Sequence, residues 1–192
     1  MTSLAAPLYI ITGVLALAGV AKVLSPTATA TALRAIRVPK PLIATRALGA
    51  AEVAVSVAAV VTGAAIFWAS IAASYAAFAV FIFWALSGNQ GVVSCGCFGH
   101  EDTPPTPGHA AFNATAAAIA GLSVADPVAL GDFDGTAFEA VLAVALIGTG
   151  IALSVAALTV LPRTLSLAHG TAAPAAQSFS LNGSPSTSQG NS

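Results

Sequence analysis

The sequence contains very little charge. Its 192 residues include six basic and seven acidic side chains, whereas 57% are hydrophobic and the mean hydropathy is +0.89. A soluble domain carries about 25% charged residues, so this chain lacks the polar surface that a soluble globule needs. The same scarcity excludes a disordered chain, and it excludes a nucleic-acid binder, which would need a basic patch. The composition therefore predicts an integral membrane protein built from helices.

Long apolar segments provide the membrane spans. A span needs roughly 20 mostly apolar residues, and small residues repeated every fourth position favour close helix packing. We predict an all-α integral membrane fold, a compact bundle of four to five transmembrane helices. Residues 1–168 would form this transmembrane domain, and residues 169–192, rich in Ala, Ser, Gly and Pro, would form a disordered polar tail. The predicted spans are about 4–24, 42–62, 64–86, 109–125 and 137–161.

A short interfacial helix is expected after the first span. Ser25 can cap it, with Pro26 at its first helical position. Its basic residues Arg34 and Arg37 would lie at the lipid surface, and Pro39 and Pro41 would end it.

Basic residues are concentrated in one part of the chain, which orients the bundle. The positive-inside rule places the connection after the first span in the cytoplasm. By parity, the loop after the third span then lies on the same, cytoplasmic side. The five basic residues around the first connection are Lys22, Arg34, Arg37, Lys40 and Arg46.

Both cysteines lie in one hexapeptide, residues 95–100 (CGCFGH), in the loop after the third predicted span. Cys95 and Cys97 are close enough to form a disulfide if the backbone bends, which Gly96 permits. Because such a small ring would be strained, the disulfide would be more oxidising than a structural one. This placement favours a redox pair, although two small apolar residues that only pack at a helix end remain an alternative.

A metal site is a further alternative for the same loop. Cys95, Cys97, His100 and His109 together offer four ligands for zinc or copper. Their C-x-C spacing is tighter than the usual C-x2-C of zinc sites, so our predicted site contains no metal. Either histidine could instead exchange a proton with the thiols.

Glu52 lies near the middle of the second predicted span, where an acidic group is costly and suggests function. Its predicted partner is Lys22, at the end of the first span. The pair would either fix helix packing, or contact a quinone headgroup, or relay protons to the thiols. Asn113, early in the fourth span, is a second buried polar candidate for the cysteine loop, a ligand or an interhelical hydrogen bond.

These residues resemble the MauE family of methylamine-utilisation membrane proteins, which is related to DoxX-like membrane proteins. The resemblance rests on Gly19 and Lys22, the Gly49–Glu52 segment, the Cys95–Gly99 element (CGCFG) and Asn113. It implies a role in maturing a disulfide-rich partner protein, beside a thioredoxin-like protein. It does not by itself imply methylamine metabolism for this chain.

We therefore expect a multi-pass cell-membrane protein, a candidate thiol–disulfide oxidoreductase that acts through Cys95 and Cys97. Its electrons would pass to a quinone near Glu52, Lys22 and Asn113, or to a thioredoxin-like protein. The cytoplasmic position of the loop conflicts with oxidation of a secreted substrate, which needs thiols outside. Two alternatives are a non-catalytic subunit of a larger membrane complex and a small metal-binding membrane protein. Lipid is an expected partner and nucleic acid is not.

Overall fold

A computed structural model describes residues 5–88, 105–132 and 135–170. All regular structure within these ranges is helical, and four helical segments are long and apolar enough to cross a membrane: Ala5–Leu24, Pro41–Thr62, Ala65–Leu86 and Ala137–Val160. The protein is thus an all-α, multi-pass membrane protein, as the composition predicts. The helices are α1 (Ala5–Leu24), α2 (Thr27–Ala35), α3 (Pro41–Thr62), α4 (Ala65–Leu86), α5 (Pro107–Leu122) and α6 (Ala137–Gly170), with a 3-10 turn at Leu130–Asp132.

Helix α1 lies at the centre of the bundle and packs against α3, α5 and α6. It is the most deeply buried of the four long helices: 44% of the residues in its most apolar stretch are buried, against 6% for α6. Helices α4 and α5 pack along each other. The core combines apolar side chains from α1, α4 and α5, among them Leu8, Leu15, Ile71 and Ala116.

The short helix predicted after the first span is present as α2, but its start differs from the prediction. It begins at Thr27 with Pro26 as the N-cap residue, and no side chain caps it. The expected cap by Ser25 is therefore wrong. Pro26 accepts the first helical hydrogen bond, from the N–H of Ala30, through its own carbonyl, so the helix starts one residue later. Arg34 and Arg37 are exposed, as expected for an interfacial helix.

Two helices differ in length from the predicted spans. Helix α5 has 16 residues, or roughly 24 Å, which is less than the ~30 Å of the hydrocarbon core. Helix α6 continues through Gly170, nine residues beyond the predicted end at Leu161. Residues 169 and 170, assigned above to the polar tail, are thus helical, and residues 171–192 lie outside the described residues.

Candidate functional site

Lys22 and Glu52 form an ion pair inside the bundle. The Lys22 Nζ lies 2.8 Å from Glu52 Oε2, and both side chains are 1% exposed. The pairing predicted from the sequence is confirmed. A buried charge without a counter-charge is costly, so each side chain supplies the partner that the other needs in this position.

Two glycines allow the helices that carry this pair to touch. A Cβ atom on Gly19 would lie 2.6 Å from the carbonyl oxygen of Gly49, and one on Gly49 would lie 2.5 Å from the carbonyl oxygen of Gly19. No real Cβ atom tolerates such distances, so α1 and α3 can cross here only because both residues are glycine. Lys22 and Glu52 each lie three residues beyond their glycine. The crossing therefore brings the two charged side chains together.

An aromatic ring contacts the lysine of the pair, whereas one oxygen of the glutamate has no partner among the described residues. Lys22 Nζ lies 4.8 Å from the centre of the Phe78 ring of α4, a cation–π contact that stabilises the buried ammonium. Glu52 Oε1 has no hydrogen-bond partner among the described residues. One carboxylate oxygen of the pair is thus buried without a partner among the described residues, which is energetically costly.

His109 joins the start of α5 to α6. Its Nε2 lies 2.8 Å from the carbonyl oxygen of Leu158, and its Nδ1 lies 2.7 Å from the Thr106 hydroxyl. A carbonyl can only accept, so Nε2 carries the hydrogen; in the neutral ring Nδ1 then accepts from Thr106. The Thr106 oxygen in turn accepts from the His109 backbone N–H and caps α5.

The sequence of α6 explains why Leu158 needs this donor. In a regular helix its carbonyl would accept from the backbone N–H of residue 162, but that residue is proline and has none. His109 supplies the missing donor from another helix. The carbonyl that contacts the buried histidine is therefore the one that the proline in the sequence leaves without a backbone donor.

Asn113 adds to the same region without joining two helices. Its Nδ2 donates to the His109 carbonyl, 2.7 Å away, one turn earlier in α5. Among the described residues this is the bond that Asn113 forms, and the contacts predicted for it with the cysteine loop, a ligand or another helix stay predictions. The residue is 6% exposed and lines a small cavity.

That cavity brings the predicted polar residues together. Lys22, His109 and Asn113 all line it, together with Tyr75 and Phe78. Its volume of about 20 Å³ has room for one water molecule but not for a quinone ring. A quinone at Lys22, Glu52 and Asn113 stays a prediction, and it would require these helices to separate.

The cysteines themselves lie outside the described residues, as does His100. The structure does describe the two helix ends on either side of residues 89–104, the end of α4 and the start of α5. The Phe78 contact and the shared cavity place the end of α4 and the start of α5 at the Lys22 end of α1. Within the described residues no group of three metal-ligating side chains occurs. This does not test the predicted four-ligand alternative, because Cys95, Cys97 and His100 lie outside the described residues.

Some features of this region were not anticipated from the sequence. The Gly19–Gly49 contact and the His109–Leu158 bond need partners that are distant in the sequence, so no local pattern marks them. Pro162 inside an apolar run is a signal that could have suggested an external donor. Ser56, one turn after Glu52, is buried without a hydrogen-bond partner among the described residues, and it too was not anticipated from the sequence.

Fold and site define a class: a small multi-pass helical membrane protein with a buried lysine–glutamate pair and with two cysteines in the sequence that connects α4 to α5. The family model for methylamine utilisation protein MauE matches residues 1–126, and the chain belongs to this family. It is thus a membrane protein related to methylamine utilisation. Searches of the curated proteins and of the solved structures gave no match.

Proposed function

We propose that this protein is a membrane thiol–disulfide redox protein that acts through Cys95 and Cys97. The observation that carries the proposal is that the only two cysteines of the chain are separated by one residue in the segment that connects α4 to α5. Both of these helices line the cavity that Lys22, His109 and Asn113 share. MauE family membership supports a membrane setting for this chemistry.

The reaction would be thiol–disulfide exchange with a partner protein. A partner thiolate attacks one sulfur of the Cys95–Cys97 disulfide, breaks the S–S bond and forms a mixed disulfide. The second partner thiolate then attacks the mixed disulfide, which leaves the partner oxidised and both Cys95 and Cys97 reduced. Two electrons and two protons pass to the pair. A thioredoxin-like disulfide or a quinone would accept them afterwards.

The buried polar residues Lys22, Glu52, His109 and Asn113 would serve this cycle by binding protons close to the cysteine loop. Lys22, His109 and Asn113 line one water-sized cavity. Glu52, the partner of Lys22, has one buried oxygen, Oε1, with no hydrogen-bond partner among the described residues. His109 lies at the start of α5, the helix that follows the cysteine loop. A proton leaving a thiol would therefore have buried polar groups within the adjacent helices.

Single-cysteine variants test the proposal. Cys97→Ser and Cys95→Ser should each abolish oxidation of the partner protein, because neither variant can form the disulfide that the partner thiolate attacks. When the variants are mixed with the oxidised, disulfide-bonded partner, the remaining thiolate of one of them should attack that disulfide and accumulate as a mixed disulfide. Ser94→Ala, next to the pair in sequence, is the matched control and should retain activity. Full partner oxidation by Cys97→Ser would refute the mechanism and favour the alternative of a non-catalytic subunit.

A further inference from the structure

Four basic side chains around the start of α3 are exposed and lack an acidic partner among the described residues. The sequence has no acidic residue between positions 25 and 51, and the carboxylate of Glu52 is already paired with Lys22 inside the bundle. This basic surface therefore attracts anions that the described residues do not supply. Its members are Arg34, Arg37, Lys40 and Arg46.

Arg46 differs from the other three because it lies within a membrane-spanning helix. Helix α3 has 22 residues, or roughly 33 Å, close to the ~30 Å of the hydrocarbon core, so it starts near the membrane interface. Arg46 lies roughly 7 Å further along the helix axis. Ile43, 65% exposed, and the exposed Ala50 lie one turn before and one turn after it, on the side of α3 that faces away from the bundle. The guanidinium thus leaves the bundle among lipids, where a charge without a counter-charge is costly.

The phosphate of a phospholipid is the acceptor that Arg46 meets at this depth. A long basic side chain near a helix end extends towards the head groups, and the planar guanidinium donates two parallel hydrogen bonds to a phosphate. The acyl chains of the same lipid would lie along the exposed Ile43, Ala47 and Ala50. The other three cations favour a head group of net negative charge over a zwitterionic one, whose own cation they repel.

Two of these cations occupy backbone positions that favour other residues. Arg37 has a φ of 59° and Lys40 a φ of 50°, in the left-handed region where glycine is preferred. Arg37 follows α2 at a helix ending in which the N–H of Val38 donates to the carbonyl of Leu33, and such endings usually carry glycine. Lys40 is the N-cap residue of α3 and makes no side-chain capping bond. Local structure does not explain cations at these positions, whereas an anion bound to this surface does.

We propose that this basic surface binds one anionic phospholipid, whose phosphate accepts hydrogen bonds from Arg46 and whose acyl chains lie along the outer side of α3. Arg34, Arg37 and Lys40 provide the positive field that selects a negatively charged head group. The site is separate from the buried pair of Lys22 and Glu52. It does not depend on the chemistry of the cysteines.

Native mass spectrometry of the full chain tests the proposal. The protein would be released from nanodiscs that contain equal amounts of phosphatidylglycerol and phosphatidylcholine. We expect a one-to-one adduct with phosphatidylglycerol in preference to phosphatidylcholine. Arg46→Gln should lower this adduct roughly tenfold, the effect of losing hydrogen bonds to a charged group. Arg163→Gln removes the same charge from α6, outside the basic surface, and should retain the adduct.

Thermal unfolding gives a second measurement on the same proteins. Because Arg46 is exposed, Arg46→Gln should unfold at the parent temperature in phosphatidylcholine alone. Added phosphatidylglycerol should raise the unfolding temperature of the parent and of Arg163→Gln, but much less that of Arg46→Gln. Equal phosphatidylglycerol adducts on the two variants would overturn the proposal. A parent protein that shows no preference for phosphatidylglycerol would also overturn it and would favour an acidic protein as the partner of this surface.

Discussion

At the scale of single residues, Lys22 and Glu52 stabilise the bundle as a pair rather than individually. Glu52→Leu should lower the free energy of unfolding by about 3–5 kcal/mol, because it leaves the Lys22 ammonium buried without a counter-charge. Unfolding of the detergent-solubilised protein would measure the change.

The double variant Lys22→Met/Glu52→Leu is the control for that experiment. Because two apolar side chains of similar volume need no counter-charge, it should regain most of the lost stability. A double variant as unstable as Glu52→Leu would contradict a purely electrostatic account. The double variant also permits a functional test, since partner oxidation can be measured in a folded protein that lacks both charges.

At the scale of helices, the contact between α5 and α6 depends on one hydrogen bond. His109→Phe preserves a ring of similar size but leaves the Leu158 carbonyl without a donor, and it should cost about 1–3 kcal/mol of stability. In a Pro162→Ala background the restored backbone N–H can serve Leu158, so the same change should cost less. A double-mutant cycle measures this coupling. Equal costs in both backgrounds would show that His109 acts only by filling space.

The crossing of α1 and α3 gives a second expectation at this scale. Gly49→Ala places a methyl group against the Gly19 carbonyl oxygen, so it should destabilise the protein by about 1–3 kcal/mol and weaken the ion pair. Gly121→Ala, where nothing lies within 4 Å, is the control and should be neutral or slightly stabilising. Thermal unfolding of both variants would separate the two cases. Equal unfolding temperatures for the two variants would mean that α1 and α3 can move apart at no cost in free energy.

The helices also show what the sequence can predict. The apolar runs are long and lie between Gly, Pro and charged residues, so the positions of α1, α3 and α4 follow closely from composition along the chain. The end of α6 does not, because hydropathy falls after Leu161 while backbone hydrogen bonding continues. The Lys22–Glu52 pair could be predicted because charges are so scarce that each has few partners.

Contacts between uncharged groups were not accessible in the same way. Several glycines and hydroxyl-bearing residues occur in the spans, and nothing local distinguishes Gly19 or Ser56 from the others. Their roles depend on which helix faces they meet, which only the assembled bundle determines.

At the scale of the whole molecule, the bundle relates the basic residues to the cysteine loop. The exposed Arg34, Arg37 and Lys40 follow α1, and the helix ends around residues 89–104 lie at the same end of the bundle. With the positive-inside rule, Cys95 and Cys97 should face the cytoplasm. A membrane-impermeant maleimide should then fail to label the reduced thiols in intact cells but label them after lysis. Labelling in intact cells would show that the cysteines face the outside and that the predicted orientation is wrong.

The most direct test of the proposed redox function is the oxidation state of the two cysteines themselves. The full-length protein in its membrane would be equilibrated with glutathione buffers of graded potential, alkylated and analysed by mass spectrometry. The account predicts one two-electron transition in which Cys95 and Cys97 change together between a disulfide and two alkylated thiols. Cysteines that are alkylated at every buffer potential, or a disulfide that persists at every buffer potential, would contradict the account.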